Sequence, residues 1–303
     1  MTKAQDRLLL LATFIRIAER GSISAAARDI GVSQAAASRQ LASLERLLST
    51  QLVQRSTQAL SLTEAGERTL IEARSLIESW EALCEQANDQ TEALGGALKV
   101  VAPVVLGQTA LASAAADFLK MNGDIRLTWL LDDGPIRFAE TGCDLWIRAG
   151  EPDDDRLIVR EIALIDRVVV AAPSLTPSPL PDPATLGELP FAAVRPFEGE
   201  QPLLYNPSGD FMRLSVKVSL STDNLMAALQ TVRDGAAFCI APFWLVADEL
   251  ASGALVTPLP DWAAQPLTLT ASFLPARRTT RRLRALIDHL SASILKLPGV
   301  EPV

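Results

Sequence analysis

The chain has 303 residues, 49% of them hydrophobic, a formal net charge of −8, a single histidine and three cysteines. This length suits two or three domains with a sizeable core, and so few His and Cys residues exclude a disulfide framework, a cysteine zinc site and most acid–base enzymes. No apolar run reaches the ~18 residues needed to span a membrane, and MTKAQDRLLLLATFIRIAERG has charges straight after its apolar part and no small-residue cleavage site, so the expected location is the cytoplasm.

The charge is uneven. Residues 1–63 hold eight basic groups against four acidic ones, an excess of +4, which leaves −12 on the rest of a chain whose total is −8. A basic head on an acidic body points to a negatively charged partner for the head. His289, alone in a late amphipathic segment, reads as a surface residue.

Residues 22–45 read SISAAARDIGVSQAAASRQLASLE. Helical spacing covers 24–30, and Gly31 follows as a residue able to take positive φ. Val32 plugs the turn, and Ser33 suits the N-cap of a second helix. There, Ala37, Leu41, Leu44 and Leu48 form one apolar stripe. Ala35, Ser38, Arg39, Ala42 and Arg46 fall opposite, and Gln34 occupies the exposed first turn. Ala26 and Ala27 are small enough for the two helices to cross closely, as in a helix-turn-helix.

The chemistry suits DNA. Gln can pair with the adenine edge in both directions, Arg can bind guanine O6 and N7, and Ala lets a helix sink into the major groove. QLVQRS (51–56) and ALSLT (59–63) alternate like a hairpin. Such a wing would set Arg55 against phosphate or the minor groove. The competing reading is a small helical core that binds protein; helix, turn, cap and hairpin together favour DNA.

The run from Ala12 to Gly66 resembles the N-terminal domain of LysR-type transcriptional regulators. The resemblance is carried by Phe14, Gly21-Ser22, Ala26-Ala27, Ser33-Gln34, Ser38-Arg39-Gln40, Leu44-Glu45, Leu52, Arg55, Leu62-Thr63 and Ala65-Gly66. Val53 replaces the family's usual Phe, and Ser49-Thr50 replaces a common Gly-containing turn. The resemblance implies base or phosphate contacts at Gln34, Ala35, Ser38 and Arg39, and a wing contact at Arg55.

Residues 64–94 contain no Pro, one Gly, eight acids and two arginines, and predict one long helix ended by Gly95-Gly96. Leu70, Ala73, Ile77, Trp80, Cys84 and Ala87 follow an a/d spacing, as in a dimer seam. A monomeric helix lying on the body competes with that reading. The resemblance favours the seam, because LysR-type regulators dimerise through this linker helix. It implies a homodimer, assembling into a homotetramer, that reads two half-sites.

From 97 onward, β-branched runs (98–103, 125–131, 144–150, 167–173, 238–242, 267–273) alternate with helical patterns such as 110–120 and 222–235, which predicts an α/β body. The Pro-rich stretch 176–190 reads as a surface loop. This part resembles the periplasmic-binding-protein-like effector domain of the same family. The resemblance implies two lobes, 95–166 with 267–303 and 167–266, around a ligand cleft at strand carboxyl ends. Candidate cleft residues are Val104, Val105, Arg148, Arg195, Phe197 and Thr222, each as readily a bystander as a contact.

Three tempting features read more plainly. Asp153-Asp154-Asp155 lacks calcium-loop spacing and reads as a solvated loop. Arg277, Arg278, Arg281, Arg282 and Arg284 read as an exposed helix start and face. Cys143 and Cys239 lie in or beside apolar strands and read as buried thiols.

The expectation is therefore a winged helix-turn-helix, a long linker helix and a two-lobed periplasmic-binding-protein-like α/β effector domain. Its function is sequence-specific, effector-responsive transcriptional regulation. It calls for double-stranded DNA, a small-molecule effector and RNA polymerase as partners, and for no cofactor, metal, catalytic residue or membrane. The competing class is a solute-binding or enzymatic α/β protein with a vestigial head.

Overall fold

A computed structural model describes residues 3–55, 60–87, 94–136, 138–150, 154, 156–176, 179–180, 183–195, 201–274 and 280–303. The chain begins with α1 (Lys3–Arg20), α2 (Ile23–Ile30) and α3 (Gln34–Leu48). A hairpin of β1 (Val53–Arg55) and β2 (Leu60–Leu62) follows, then α4 (Glu64–Ala87). Phe14 and Ile17 of α1, Ala26 of α2, and Leu41 and Leu44 of α3 share one buried core with Leu52.

Local signals set the head's turns. Ser22 Oγ accepts from the Ala25 N–H, and Ser33 Oγ from the Ala36 N–H at 3.1 Å, so each hydroxyl caps a helix start. Gly31 takes φ 74°, and the Val32 N–H returns to the Ala27 carbonyl. Glu45 Oε1 accepts from the Leu52 and Val53 N–H groups and fixes the approach to the wing. Thr63 Oγ1 donates to the Gln51 carbonyl and accepts from the Gly66 N–H. A Cβ at Gly66 would run into the Leu52 carbonyl oxygen, so α4 can approach the wing only through a glycine.

Two expectations for the head change. Leu48 is 45% exposed, not part of the buried stripe. The helix ends there, and Ser49, the one non-glycine residue at positive φ among the described residues, turns the chain away at φ 53°. Leu70 and Ala73 are buried in the head's own core, so they are not available to a partner helix. Among the described side chains, the exposed large apolar residues of α4 are Leu76, Trp80 and Leu83. Ile77 is half-buried; the side chains of Cys84 and Ala87 lie outside the description.

The body runs β3 (Gly95–Ala102), α5 (Val104–Gln108), α6 (Ala110–Met121), β4 (Asp124–Leu131), α7 (Phe138–Thr141), β5 (Leu145–Ala149) and β6 (Ile158–Val170). A 3₁₀ turn at Pro183–Glu188 precedes β7 (Pro190–Val194), β8 (Leu203–Tyr205), β9 (Phe211–Arg213) and β10 (Lys217–Thr222). The rest comprises α8 (Leu225–Arg233), β11 (Cys239–Pro242), α9 (Phe243–Ser252), β12 (Ala263–Phe273), α10 (Arg281–Ile294) and β13 (Val300–Glu301). The main sheet has the order β11-β6-β12-β5-β3-β4, with β3, β4 and β5 parallel. A second, parallel pair joins β7 and β10.

β6 and β12 run from one lobe into the other and are called the hinge strands. Ile158–Ile165 of β6 pairs with the later part of β12, while Arg167 and Val168 pair with Ala264 and Ala263 of β12 on one side and, with Val169 and Val170, with β11 on the other. The β12 register slips between Ala264 and Leu267, opposite the Ile165–Arg167 step. One core, including Leu98, Val100, Phe118, Ile147 and Leu286, lies on one side of that step; two more, around Phe191 and Leu229, lie on the other. β6 starts at Ile158, well before the run 167–173, because its first residues are exposed and show no continuous apolar signal.

Two further readings are corrected. Arg282 is buried, its guanidinium packed against Gly96. His289 is half-buried: its Nε2 lies 3.0 Å from the Ala114 carbonyl and its ring packs on Phe118, tying α10 to α6. Asp154 makes an exposed pair with Arg156 at 2.8 Å, as a solvated loop allows, while Asp153, Asp155, Arg277 and Arg278 lie outside the described residues.

Candidate functional site

The stripe of α3 made by Ala37, Leu41 and Leu44 is buried. That orientation turns Gln34, Ala35, Arg39, Ala42 and Arg46 outward, all exposed, with Ser38 half-buried among them. Gln40 works on the other side: the buried Thr13 hydroxyl donates to its Oε1 at 2.9 Å and joins α1 to α3. α3 therefore presents one polar face with little bulk, held rigidly from behind. The wing lies next to it, with Val53 opposite Leu62 and Arg55 opposite Leu60. Arg55 is described by its backbone only.

Between the lobes lies a cavity of about 110 Å³. Pro103, Asp132 and Asp133 follow β3 and β4, and Arg148 and Ala149 end β5. From the other lobe come Val194 at the end of β7, Asp223 after β10, and Ile240 and Pro242 of β11. Ile165, Arg167, Leu267 and Leu269 of the hinge strands form its floor. Strand carboxyl ends thus converge from both sides, the usual position for a ligand in an open α/β sheet.

Of the expected cleft residues, the cavity includes Val105 and Arg148. Val104 is a neighbour whose N–H donates to Asp133 Oδ1 at 2.9 Å. Arg195 is exposed and reaches Ser221 Oγ, and Thr222 Oγ1 accepts from the Asn224 N–H; neither lines the cavity, although Val194 and Asp223 do. Phe197 lies outside the described residues. Asp132, Asp133, Arg167 and Asp223 were missed. They sit one or two residues past a strand, or at the hinge, and only the topology brings them together.

The charged lining has internal partners. Arg148 lies over the Trp146 ring, 4.7 Å from its centroid. Arg167 Nε donates to the Gln265 carbonyl at 2.7 Å. The Asp133 carboxyl is held above its ordinary pKa, mainly by burial, with the like charges of Asp132 and Asp223 adding to it and the Val104 N–H opposing. Among the described residues no group of His, Cys, Asp and Glu could hold a metal ion, and no helix is long and apolar enough to cross a membrane.

A winged helix-turn-helix joined by a long helix to a two-lobed body with an interlobe cavity defines a ligand-responsive DNA-binding regulator. Two family models agree with that class. Residues 8–67 match the bacterial regulatory helix-turn-helix protein of the lysR family, and residues 91–294 match the LysR substrate binding domain. The chain belongs to the LysR family and is a LysR-type transcriptional regulator.

It is 27% identical to the HTH-type transcriptional regulator DmlR of Escherichia coli, over 92% of each chain. It is equally similar to PtxR of Pseudomonas aeruginosa, over 95% of this chain and 93% of the relative. A full-length OxyR structure from Pseudomonas aeruginosa superposes with a TM-score of 0.72 over 100% of this chain and 97% of that one, at 20% identity, which establishes the shared fold.

Proposed function

We propose that this regulator binds operator DNA as a homodimer, paired further into a homotetramer, and that a small effector in the interlobe cleft changes the relation between its heads. The observation that carries the DNA reading is the outward face of α3, built of Gln34, Ala35, Ser38 and Arg39 against a buried apolar back. In this reading α3 enters the major groove, and Arg55 of the wing meets the backbone.

The dimer reading is supported by Leu76, Trp80 and Leu83, which are each about half exposed and fall on one side of α4. The seam thus shifts outward from Leu70 and Ala73, with Trp80 retained. Lobes 95–166 with 267–303 and 167–266 close around the cavity by bending β6 and β12. The protein acts in the cytoplasm, contacts RNA polymerase and carries out no catalysis; the absence of a nucleophile–base set in the sequence supports the last point.

A gel shift with the gene's own upstream DNA tests this reading. Salt-sensitive, sequence-dependent retardation is expected; equal affinity for unrelated DNA overturns it. Thermal-shift screening of the full chain against small acids, amines and aromatics tests the cleft.

A further inference from the structure

The lining of the cleft narrows the chemistry of its ligand, an inference that rests on the cleft being the effector site. Val105, Leu106, Ile240, Leu267 and Leu269 supply apolar walls, which strip water from an apolar body. Two guanidiniums, of Arg148 and Arg167, also line the cavity, and each is turned toward neutral groups of the protein itself. Pro103 has no N–H, and the Val104 N–H is taken by Asp133. Residues 104 and 105 are both valine and bring no hydroxyl. Arg167 is committed to the Gln265 carbonyl, and Arg148 to the face of Trp146 and, at 3.4 Å, to the Ala149 carbonyl.

The carboxylates are arranged differently. Asp132 and Asp133 come from one lobe and Asp223 from the other, and all three line the same cavity. Carboxylates of like charge therefore face into one cavity from both lobes, and Asp223 adds in a small way to the burial that raises the Asp133 pKa. A second anion placed there adds to the repulsion; a cation cancels it and attracts both lobes.

We propose that the cleft takes a small amine, an ammonium group on a compact apolar body, with the ammonium between Asp133 and Asp223 and the body against the aliphatic walls. An ammonium there bridges a carboxylate of each lobe and draws the two together. Ligand chemistry and cleft closure are then one event, because the cation interacts with both lobes only when they approach.

The test is calorimetric titration and thermal shift of the full-length protein with isopentylamine, isopentanol and isocaproate, which share a branched carbon skeleton and differ in charge. Saturable binding of isopentylamine is expected, at least about tenfold tighter than isocaproate. Asp223→Asn should weaken it about fivefold or more, and Leu225→Trp, which fills the cleft, should abolish it. Asp223 is exposed, so its variant keeps the test valid if Leu225→Trp does not fold.

Tighter binding of isocaproate that is lost in Leu225→Trp overturns the amine assignment and leaves the cleft as the effector site. Amine binding that survives both variants places the ligand elsewhere and overturns the assignment. No saturable amine binding at millimolar concentration also overturns it, and the effector screen then decides the cleft reading separately.

Discussion

Arg74 Nη2 lies 3.3 Å from Glu19 Oε1, so the linker helix is clamped to the first helix of the head by a largely buried arginine. The same guanidinium packs against Gly142, at the start of the segment leading into β5, and a Cβ there would strike it. Gly142 also has φ 59°. One side chain thus joins head, linker and body, and β5 ends at Arg148 and Ala149 in the cleft wall. Arg74→Leu should lower stability by about 1–3 kcal/mol, the cost of removing a hydrogen-bonded partner from a poorly solvated carboxylate. Gly142→Ala should also destabilise, and the double variant Gly142→Ala with Arg74→Ala should cost less than the sum of the single changes, because the shortened side chain removes the clash. Denaturation midpoints of the parent, Arg74→Ala, Gly142→Ala and the double variant check this; strict additivity refutes the contact.

Arg39→Ala should weaken operator binding by ~1–3 kcal/mol and relax preference at one base position. Fluorescence anisotropy over a set of single-base operator variants measures both effects. Uniform losses across the set reassign Arg39 to phosphate.

Trp80→Glu should separate the dimer and reduce operator affinity while the head stays folded, because Trp80 is 49% exposed in the single chain and a charge there meets solvent in the monomer. Leu70→Ala should act differently: it removes a side chain that is 3% exposed and should cost about 2–5 kcal/mol of head stability. Sedimentation and circular dichroism distinguish the two. A monomer formed by Leu70→Ala without loss of helix contradicts the shifted seam.

Asp133 has its folded-state pKa raised, mainly by burial. The folded protein therefore binds this proton more tightly than the unfolded chain, and stability falls as pH rises through the folded pKa. Asp133→Asn keeps an oxygen for the Val104 N–H and removes the charge. Its melting temperature should exceed that of the parent by about 1–2 °C at pH 7, a small gain because the carboxylate is partly solvated, and the gap should close toward pH 4. A gap that widens in acid refutes the reading.

Burial pushes the Cys143 thiol up to about 12, with the Asp144 charge in support. It packs with Val101, Phe138 and Trp146, so it holds almost no thiolate near neutrality. Maleimide labelling followed by mass spectrometry should leave Cys143 unmodified at pH 8 in the folded protein and label it after denaturation. Rapid native labelling at that site would reopen a redox role.

Much of the head was legible because its signals are local. Ser33, Gly31 and the Ala37–Leu41–Leu44 stripe each act within a turn or two of helix. The linker was less legible, since an apolar repeat does not say whether it faces its own core or another chain: Leu70 and Ala73 do the first, while Trp80 is left exposed. The cleft was legible only as a set of strand ends. Val105 and Arg148 lie where the expected strands stop, but Asp133 and Asp223 are far apart in sequence and meet only through the fold of two lobes. Arg282 shows the same limit. An arginine-rich helix start reads as solvated until Gly96, with no side chain of its own, gives one guanidinium a place to pack.

The sheet order also bears on how the protein is made. β12 lies between β5 and β6, yet leaves the ribosome almost a hundred residues after β6 ends. Until it arrives, both neighbours have an unpaired edge, and the apolar residues that pack on Leu269 and Ala271 stay uncovered. The nascent body therefore holds an open slot for most of its synthesis, and chains cut short before Ala263 should collect in aggregates.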